Sequence, residues 1–260
     1  MKKTALVTGA THGIGLALSK NLLSNGWLVF GTGRDLASLE TTQALFPNFI
    51  PIQADFTKND DIQNVASTIK KTGLPLSLSV QNAGMKSPPR PLEQYTCGSI
   101  DEELMVNLLA PMKLTALLST QMPAESRILY LTSRAATLKL KEGSTYCASK
   151  AALDEVAAIV RKELEERNIG VSTVIPGEVD THIQKILRET TSFHLHQKFE
   201  EIYQKGQLIN PTVCATFLKW LLCDLSFAEF KQSKMPVSIY DKWHHQFWLT
   251  EANQLPVFPF

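Results

Sequence analysis

Short apolar runs alternate with helical patterns along most of this chain, and that alternation restricts the fold more than any other feature. Thr4–Val7, 27–30, 49–52, 76–80, Arg127–Leu131 and 171–175 read as six buried strands. Between them, 16–24, 36–46, 60–71, 100–119 and 144–167 carry helical spacing, and Pro47 helps to stop the second of these helices. Strand–helix alternation predicts an α/β fold, a doubly wound parallel sheet with helices on both faces and right-handed crossovers. With 260 residues, 44% of them hydrophobic, one domain can span the chain. We read residues 1–181 as its core and 182–260 as a substrate loop followed by an irregular C-terminal region. There, Pro176-Gly177 breaks the pattern, 181–206 is polar and helical in parts, and 211–222 is a firm helix. A closing strand is expected within 237–241. The last stretch is rich in aromatic residues: Tyr240, Trp243, Phe247, Trp248, Phe258 and Phe260. It is expected to pack against the body or a subunit partner, with a substrate-pocket wall as the alternative.

Charge excludes several functions. There are 26 basic and 25 acidic residues, for a net charge of +1, with no basic stripe or acidic tail, so neither nucleic acid nor an anionic membrane is expected as a partner. No apolar run reaches the ~18 residues of a membrane span. The four cysteines (Cys97, Cys147, Cys214 and Cys223) form no CxxC pair. A reducing, cytoplasmic setting follows as the expectation. His194 and His196 are two apart, and His244 and His245 are adjacent. Neither pair has the spacing of a zinc helix, so no metal site is expected.

Thr8-Gly9-Ala10-Thr11-His12-Gly13-Ile14-Gly15 follows the first strand and opens the first helix. In that context the glycines read as a Rossmann-type dinucleotide loop. Gly9 allows the turn, Gly13 lets backbone approach a pyrophosphate, and Gly15 permits close helix–strand packing. The helix N-terminus offers free N–H groups to phosphate. At the end of the second strand, Phe30-Gly31-Thr32-Gly33-Arg34-Asp35 has Gly33 about where an acid selecting NAD would stand. Arg34 can grip a 2′-phosphate and His12 can add a weaker contact, which favours NADP(H), with NAD(H) as the alternative cofactor. Asp35 complicates this, since it could pair with Arg34 or repel a phosphate. A solvated surface arginine is the plainer reading of Arg34.

Tyr146 and Lys150 are four apart, so on a helix they share a face. An ammonium beside a phenol lowers the phenol's pKa from its usual ~10 and makes it a better acid–base group near neutrality. Ser133 ends the apolar run of the fifth strand, at the mouth of the sheet. Together these groups suit proton transfer to or from a carbonyl or alcohol oxygen.

Taken in order, the glycine loop, Asn82-Ala83-Gly84, Asn107, Ser133, Tyr146 with Lys150, and Pro176-Gly177 resemble the short-chain dehydrogenase/reductases of the single-domain, non-extended branch. The likeness runs from Thr4 to about Thr181. It implies that Asp55 holds the adenine amino group with Phe56 beside the ring, and that Asn82, Ala83 and Gly84 pass near the adenosine ribose. A structural turn is the other reading of that tripeptide. The resemblance further implies that Asn107 kinks the long helix and places a water in a proton relay, where the plainer reading is a locally bonded mid-helix residue. Val179 and Thr181 would contact the nicotinamide carboxamide, and Lys150 the nicotinamide ribose. Hydride transfer between NADP(H) and a small-molecule ketone or aldehyde, or the corresponding alcohol, is the implied activity, with a 3-oxoacyl thioester as an alternative substrate. A non-catalytic NADP(H)-binding sensor or scaffold is the rival. Pairing through the two longest helices implies a homodimer or homotetramer. Gln81 stands where the family more often has a second Asn, and the family's closing strand with its glycine pair is missing. Substrate choice is assigned to 85–96, 135–143 and 180–207.

Overall fold

The computed structural model describes residues 3–251 and 253–256. Phe258 and Phe260 lie outside them. The elements in chain order are β1 (Thr4–Val7), α1 (Gly13–Ser24), β2 (Leu28–Gly33), α2 (Leu36–Leu45), β3 (Phe49–Gln53), α3 (Asn59–Lys71), β4 (Leu78–Gln81) and α4 (Cys97–Leu104). A π-helical turn at Met105–Leu109 leads into α5 (Ala110–Leu118), followed by β5 (Arg127–Leu131), α6 (Ala135–Leu138), α7 (Ser144–Glu163) and β6 (Gly170–Ile175). The chain continues through α8 (His182–Glu189), α9 (His196–Gln204), α10 (Pro211–Lys219), a second π turn at Trp220–Asp224, α11 (Phe227–Gln232), β7 (Val237–Ser238) and α12 (His245–Trp248).

The seven strands form one parallel sheet in the order β3-β2-β1-β4-β5-β6-β7. Strand direction in sequence order reverses between β1 and β4, the switch point at which such sheets open a crevice beyond their C-terminal strand ends. The strands are apolar throughout because helices cover both faces. Alternation divides them between two cores. Ala5, Val7, Leu129 and Leu131 pack with α1 and α10, whereas Leu6, Ile128 and Tyr130 pack with α3, α5 and α7. The less apolar β4 satisfies its polar side chains internally, Gln81 Nε2 donating to Ser79 Oγ at 2.9 Å.

Several boundaries differ from the sequence expectation. Helix α1 begins at Gly13, directly out of the glycine loop; β2 runs on to Gly33; β4 lies two residues later than 76; and α7 ends at Glu163 in a short turn. The long helix expected over 100–119 is interrupted by the π turn centred on Asn107, so the expected distortion at that residue is present. The expected closing strand shrinks to Val237–Ser238, paired with Val174 and Ile175 of β6. Helix α6 has no counterpart in the sequence reading.

The C-terminal aromatic residues in the described region pack against the body. Phe217 of α10 lies 4.9 Å from His244 and 5.2 Å from Trp248 between ring centroids. His244 is fully buried. Its Nδ1 accepts from Trp248 Nε1 at 2.8 Å, and its Nε2 is 2.9 Å from the Ser238 carbonyl, to which it donates. One nitrogen accepting and the other donating makes the neutral imidazole the right tautomer, and burial pushes the pKa of His244 down, in the same sense. Arg127, an unusual residue for an inner strand, donates to the carbonyls of Leu221 at 2.9 Å and Leu225 at 2.7 Å. It thereby satisfies acceptors that the second π turn and its end leave without helical partners.

Candidate active site

A cavity of about 890 Å³ opens at the C-terminal ends of the strands. Gly9, Thr11, His12, Gly13, Ile14, Arg34, Asp55, Phe56, Asn82, Ala83 and Gly84 line one end; Ser133, Tyr146, Lys150, Pro176, Gly177, Val179 and Thr181 line the rest. One crevice therefore joins residues drawn from across the first 181 positions. Gly15 is not part of its wall. A Cβ there would lie 2.1 Å from the Gly9 carbonyl oxygen, so Gly15 lets the first turn of α1 lie against the loop that precedes it.

The glycine-loop end is built from backbone. Gly9 and Gly13 have φ of 69° and 54°, in the region where glycine is favoured. The first turn of α1 contains no acidic residue and its N-cap, His12, makes no side-chain cap, which leaves its N–H groups and positive dipole end for an anion. Thr8 Oγ1 accepts from the amides of Asn82 and Ala83, both at 2.9 Å, and Asn82 Nδ2 donates to the Thr8 carbonyl at 2.7 Å. Asn82-Ala83-Gly84 is thus a structural clasp between the ends of β1 and β4, as well as cavity wall.

At the end of β2, a Cβ on Gly33 would lie 2.4 Å from Thr11 Cγ2, so an acidic side chain there meets the glycine loop. Arg34 is exposed at the cavity rim. Asp35 caps α2, accepting from the Ser38 amide at 3.4 Å and from its hydroxyl. Asp35 therefore has a structural task in α2, and its carboxylate stays charged beside Arg34 in the sequence. Asp55 accepts from the Thr57 amide at 3.1 Å and hydroxyl at 2.9 Å. Burial opposes its ionisation, yet these bonds and the nearby charges of Arg34 and Lys58 together hold the carboxyl below its usual range.

At the other end, the Ser133 and Tyr146 hydroxyls are hydrogen-bonded, and Ser133 Oγ also accepts from the Ala135 amide at 3.1 Å. Lys150 Nζ donates to the Leu131 carbonyl at 2.8 Å and stands 5.7 Å from the centroid of the Tyr146 ring. The expected lowering of the tyrosine is not what this environment produces. Burial pushes Tyr146 up to about 12, with the Ser133 hydrogen bond opposing and the Glu103 charge adding to the rise. Burial also pushes Lys150 down to about 8, against the attraction of Asp154 and Glu103. Removing both groups from water costs more than their proximity returns, and Lys150 directs its proton at the β5 carbonyl.

Asn107 is fully buried and is not part of the cavity wall. Its Oδ1 accepts from the Met85 amide at 2.8 Å, while Nδ2 donates to the Met85 carbonyl at 2.7 Å and to Ser149 Oγ at 3.3 Å. Its bonds reach a loop 22 residues upstream and helix α7, so it is not the locally bonded mid-helix residue of the plainer reading. Asn107→Ala leaves both Met85 backbone groups, which are partly buried, without these partners. We expect a loss of about 2 kcal/mol in unfolding free energy, read by urea denaturation. A change within error would show that water replaces the amide.

The sequence reading missed Lys86 and Glu103. Lys86 lines the cavity and is 6% exposed, and its Nζ stands 4.4 Å from the Tyr146 ring centroid; Glu103 is completely buried. The signal was present, since Glu103 is four residues before Asn107 and Lys86 is two after Gly84. It also missed Glu178, which accepts from the Tyr240 hydroxyl at 3.1 Å and lies 3.9 Å from Arg134. Through this contact the C-terminal region supports the loop after β6. Leu187, Leu195 and Phe199 of the 182–207 segment face the cavity, and Leu187 and Phe199 join Phe193 and Ile202 in a small core of their own.

Comparison with known proteins decides the family. The profile described as short chain dehydrogenase matches residues 3–192. The chain belongs to the short-chain dehydrogenase family. It is an oxidoreductase by that membership. It is 28% identical over 238 residues to a benzil reductase ((S)-benzoin forming) of Saccharomyces cerevisiae, covering 85% of this chain and 90% of that one. It is 33% identical over 186 residues to an L-xylulose reductase of Caenorhabditis elegans, covering 69% and 72%. A short chain dehydrogenase from Burkholderia cenocepacia, solved in complex with NADP, superposes with a TM-score of 0.72 at 27% identity, covering 85% of this chain and 90% of that one. Among the described residues no helix is long and apolar enough to cross a membrane, and no group of three or more His, Cys, Asp or Glu side chains is placed to hold a metal ion.

Proposed function

We propose that this protein is an NADP(H)-dependent carbonyl reductase acting on a small ketone or aldehyde, and on the corresponding alcohol in reverse. The observation that carries the proposal is the single cavity with a glycine loop and Arg34 at one end and the Ser133–Tyr146 hydrogen bond beside Lys150 at the other. The NADP complex of the Burkholderia relative and the two reductases named above support the same reading.

The cavity suits the cofactor by its own chemistry. Backbone N–H groups of the α1 N-terminus and His12 would hold its phosphates, Arg34 its 2′-phosphate, Asp55 and Phe56 its adenine, Asn82 to Gly84 its ribose, and Val179 and Thr181 its carboxamide. Bound there, the nicotinamide supplies or accepts the hydride. Ser133 donates a hydrogen bond that holds the substrate oxygen, and Tyr146 gives that oxygen a proton as negative charge develops. Lys150 stabilises the tyrosinate left behind and bonds the nicotinamide ribose. Asn107, through Ser149 and a water chain, leads the returning proton inward. The apolar walls from Leu187, Leu195 and Phe199 favour apolar or aromatic ketones, diketones included. Leu109, Met112 and Ile159 stay exposed on α4–α5 and α7 surfaces, which supports self-association into a homodimer or homotetramer.

NADPH oxidation across a panel of aromatic ketones, diketones and aldehydes tests the reading, and absence of turnover across the whole panel speaks for the non-catalytic rival. Arg34→Ala tests the cofactor separately. Losing a charge-assisted pair to the 2′-phosphate should raise the KM for NADPH about 10- to 100-fold and leave the KM for NADH nearly unchanged. Equal effects on both cofactors would assign Arg34 to the solvated surface.

A further inference from the structure

Tyr146 is flanked by two lysines, and only Lys150 is explained by the mechanism above. Lys86 comes from the loop after β4, on the far side of the π turn from α7. Its ammonium lies 4.4 Å from the Tyr146 ring centroid, closer than the 5.7 Å of Lys150. A cation this close to an aromatic face is attracted to it, and the attraction grows when both are desolvated. Lys86 and Tyr146 are 6% and 8% exposed. A buried ammonium needs a counter-charge, and Glu103 on α4 provides one. Glu103 is itself fully buried and interacts electrostatically with Lys86; burial pushes its carboxyl up, and the Lys86 charge acts against that rise. Burial lowers the pKa of Lys86, and the Glu103 charge acts against that lowering.

We propose that Lys86, kept charged by Glu103, is a positioning residue that holds the Tyr146 ring and stabilises its phenolate. This rests on the reading of Tyr146 as the proton donor. When Tyr146 gives its proton to a carbonyl oxygen, the electron pair of the O–H bond stays on the phenolate. Lys86 is then an ammonium over the ring that carries that new negative charge, nearer its centroid than Lys150. The charged or titratable groups facing Tyr146 are Lys86 from the β4 loop, Glu103 from α4, and Cys147 and Lys150 from α7, with Asp154 behind Lys150; from the turn after β5 comes the Ser133 hydroxyl. Of these, Lys86 and Lys150 alone favour the phenolate by charge.

The test places a single fluorinated tyrosine at position 146 and follows its ionisation by fluorine NMR, with no need for turnover. Lys86→Met should raise its midpoint by about one pH unit. Lys86→Arg, which keeps the charge, should return it to within a few tenths of wild type. Lys86→Met with Glu103→Gln removes both members of the buried pair and keeps the test alive if the single variant fails to fold; its midpoint should lie between wild type and Lys86→Met. In the native enzyme, the rise of alcohol oxidation with pH should move in the same direction. A midpoint in Lys86→Met within a few tenths of wild type, or a double variant at or below wild type, overturns the proposal. An enzyme that oxidises no alcohol and reduces no carbonyl, yet shows the NMR shifts, refutes the catalytic reading of Tyr146 and leaves the role of Lys86 as its electrostatic partner standing.

Discussion

Tyr146→Phe should lower carbonyl reduction by about a thousandfold or more while leaving the Kd for NADPH nearly unchanged. General acid catalysis contributes on the order of 10²–10⁴ in rate, and no other acidic hydroxyl of comparable placement can replace this one. Ser133 is the group hydrogen-bonded to it, but an aliphatic hydroxyl is a far weaker acid than a phenol. Lys150, depressed to about 8, gives one N–H to the Leu131 carbonyl and stands beside the Tyr146 ring, so it does not stand in for the phenol. The ring itself remains in Phe, so the apolar contact with the Lys86 and Lys150 stems survives, and the α7 backbone is not asked to move. Steady-state turnover and fluorescence titration with NADPH separate the two effects. A variant that reduces ketones at near the wild-type rate would remove Tyr146 from the chemistry; one that no longer binds NADPH would make its role structural.

Phe217→Ala should be the most destabilising single change in the C-terminal region, at about 3–5 kcal/mol, or a drop in Tm on the order of 10 °C. Phe217 is fully buried and its ring meets His244, Trp248 and Trp220 at centroid distances of 4.9, 5.2 and 6.3 Å. Removing it opens a cavity among large, rigid rings that cannot close over the space, since His244 is pinned by Trp248 and the Ser238 carbonyl. The same hydrogen bonds fix β7, and Tyr240, just beyond it, bonds Glu178 in the loop that lines the cavity. A secondary loss of activity is therefore expected at temperatures where the fold is still intact. Calorimetry reads the stability, and a change in Tm of less than about 2 °C would show that the aromatic cluster adapts around the gap.

These two residues mark the limits of what the sequence reveals. Tyr146 and Lys150 were legible because helical spacing alone places them on one face. The six main strands were legible because a parallel sheet covered on both faces demands apolar runs, and β1 and β5 fall where those runs do. The glycine loop was legible because few side chains tolerate its backbone or its contacts. Phe217, in contrast, was one more apolar residue in a helix. Its partners arrive 27 and 31 positions later from a stretch whose irregular pattern admitted either core packing or a pocket wall. Tyr240 and Trp248 take the first course, Trp243 and Phe247 lie against Trp220 while staying more than half exposed, and none of the four lines the cavity.

Local spacing and backbone demands, both encoded over a few residues, thus pointed to the element order, the glycine loop and the grouping of Ser133, Tyr146 and Lys150 in one cavity. The tertiary structure decided the electrostatics. The nearness of Lys150 suggested a more acidic phenol, whereas burial pushes Tyr146 up to about 12 and Lys150 down to about 8. The charges of Glu103 and Lys86 reach Tyr146 from 43 and 60 positions upstream. Desolvation and long-range charge depend on which elements converge in space, and no window of sequence around Tyr146 contains that information.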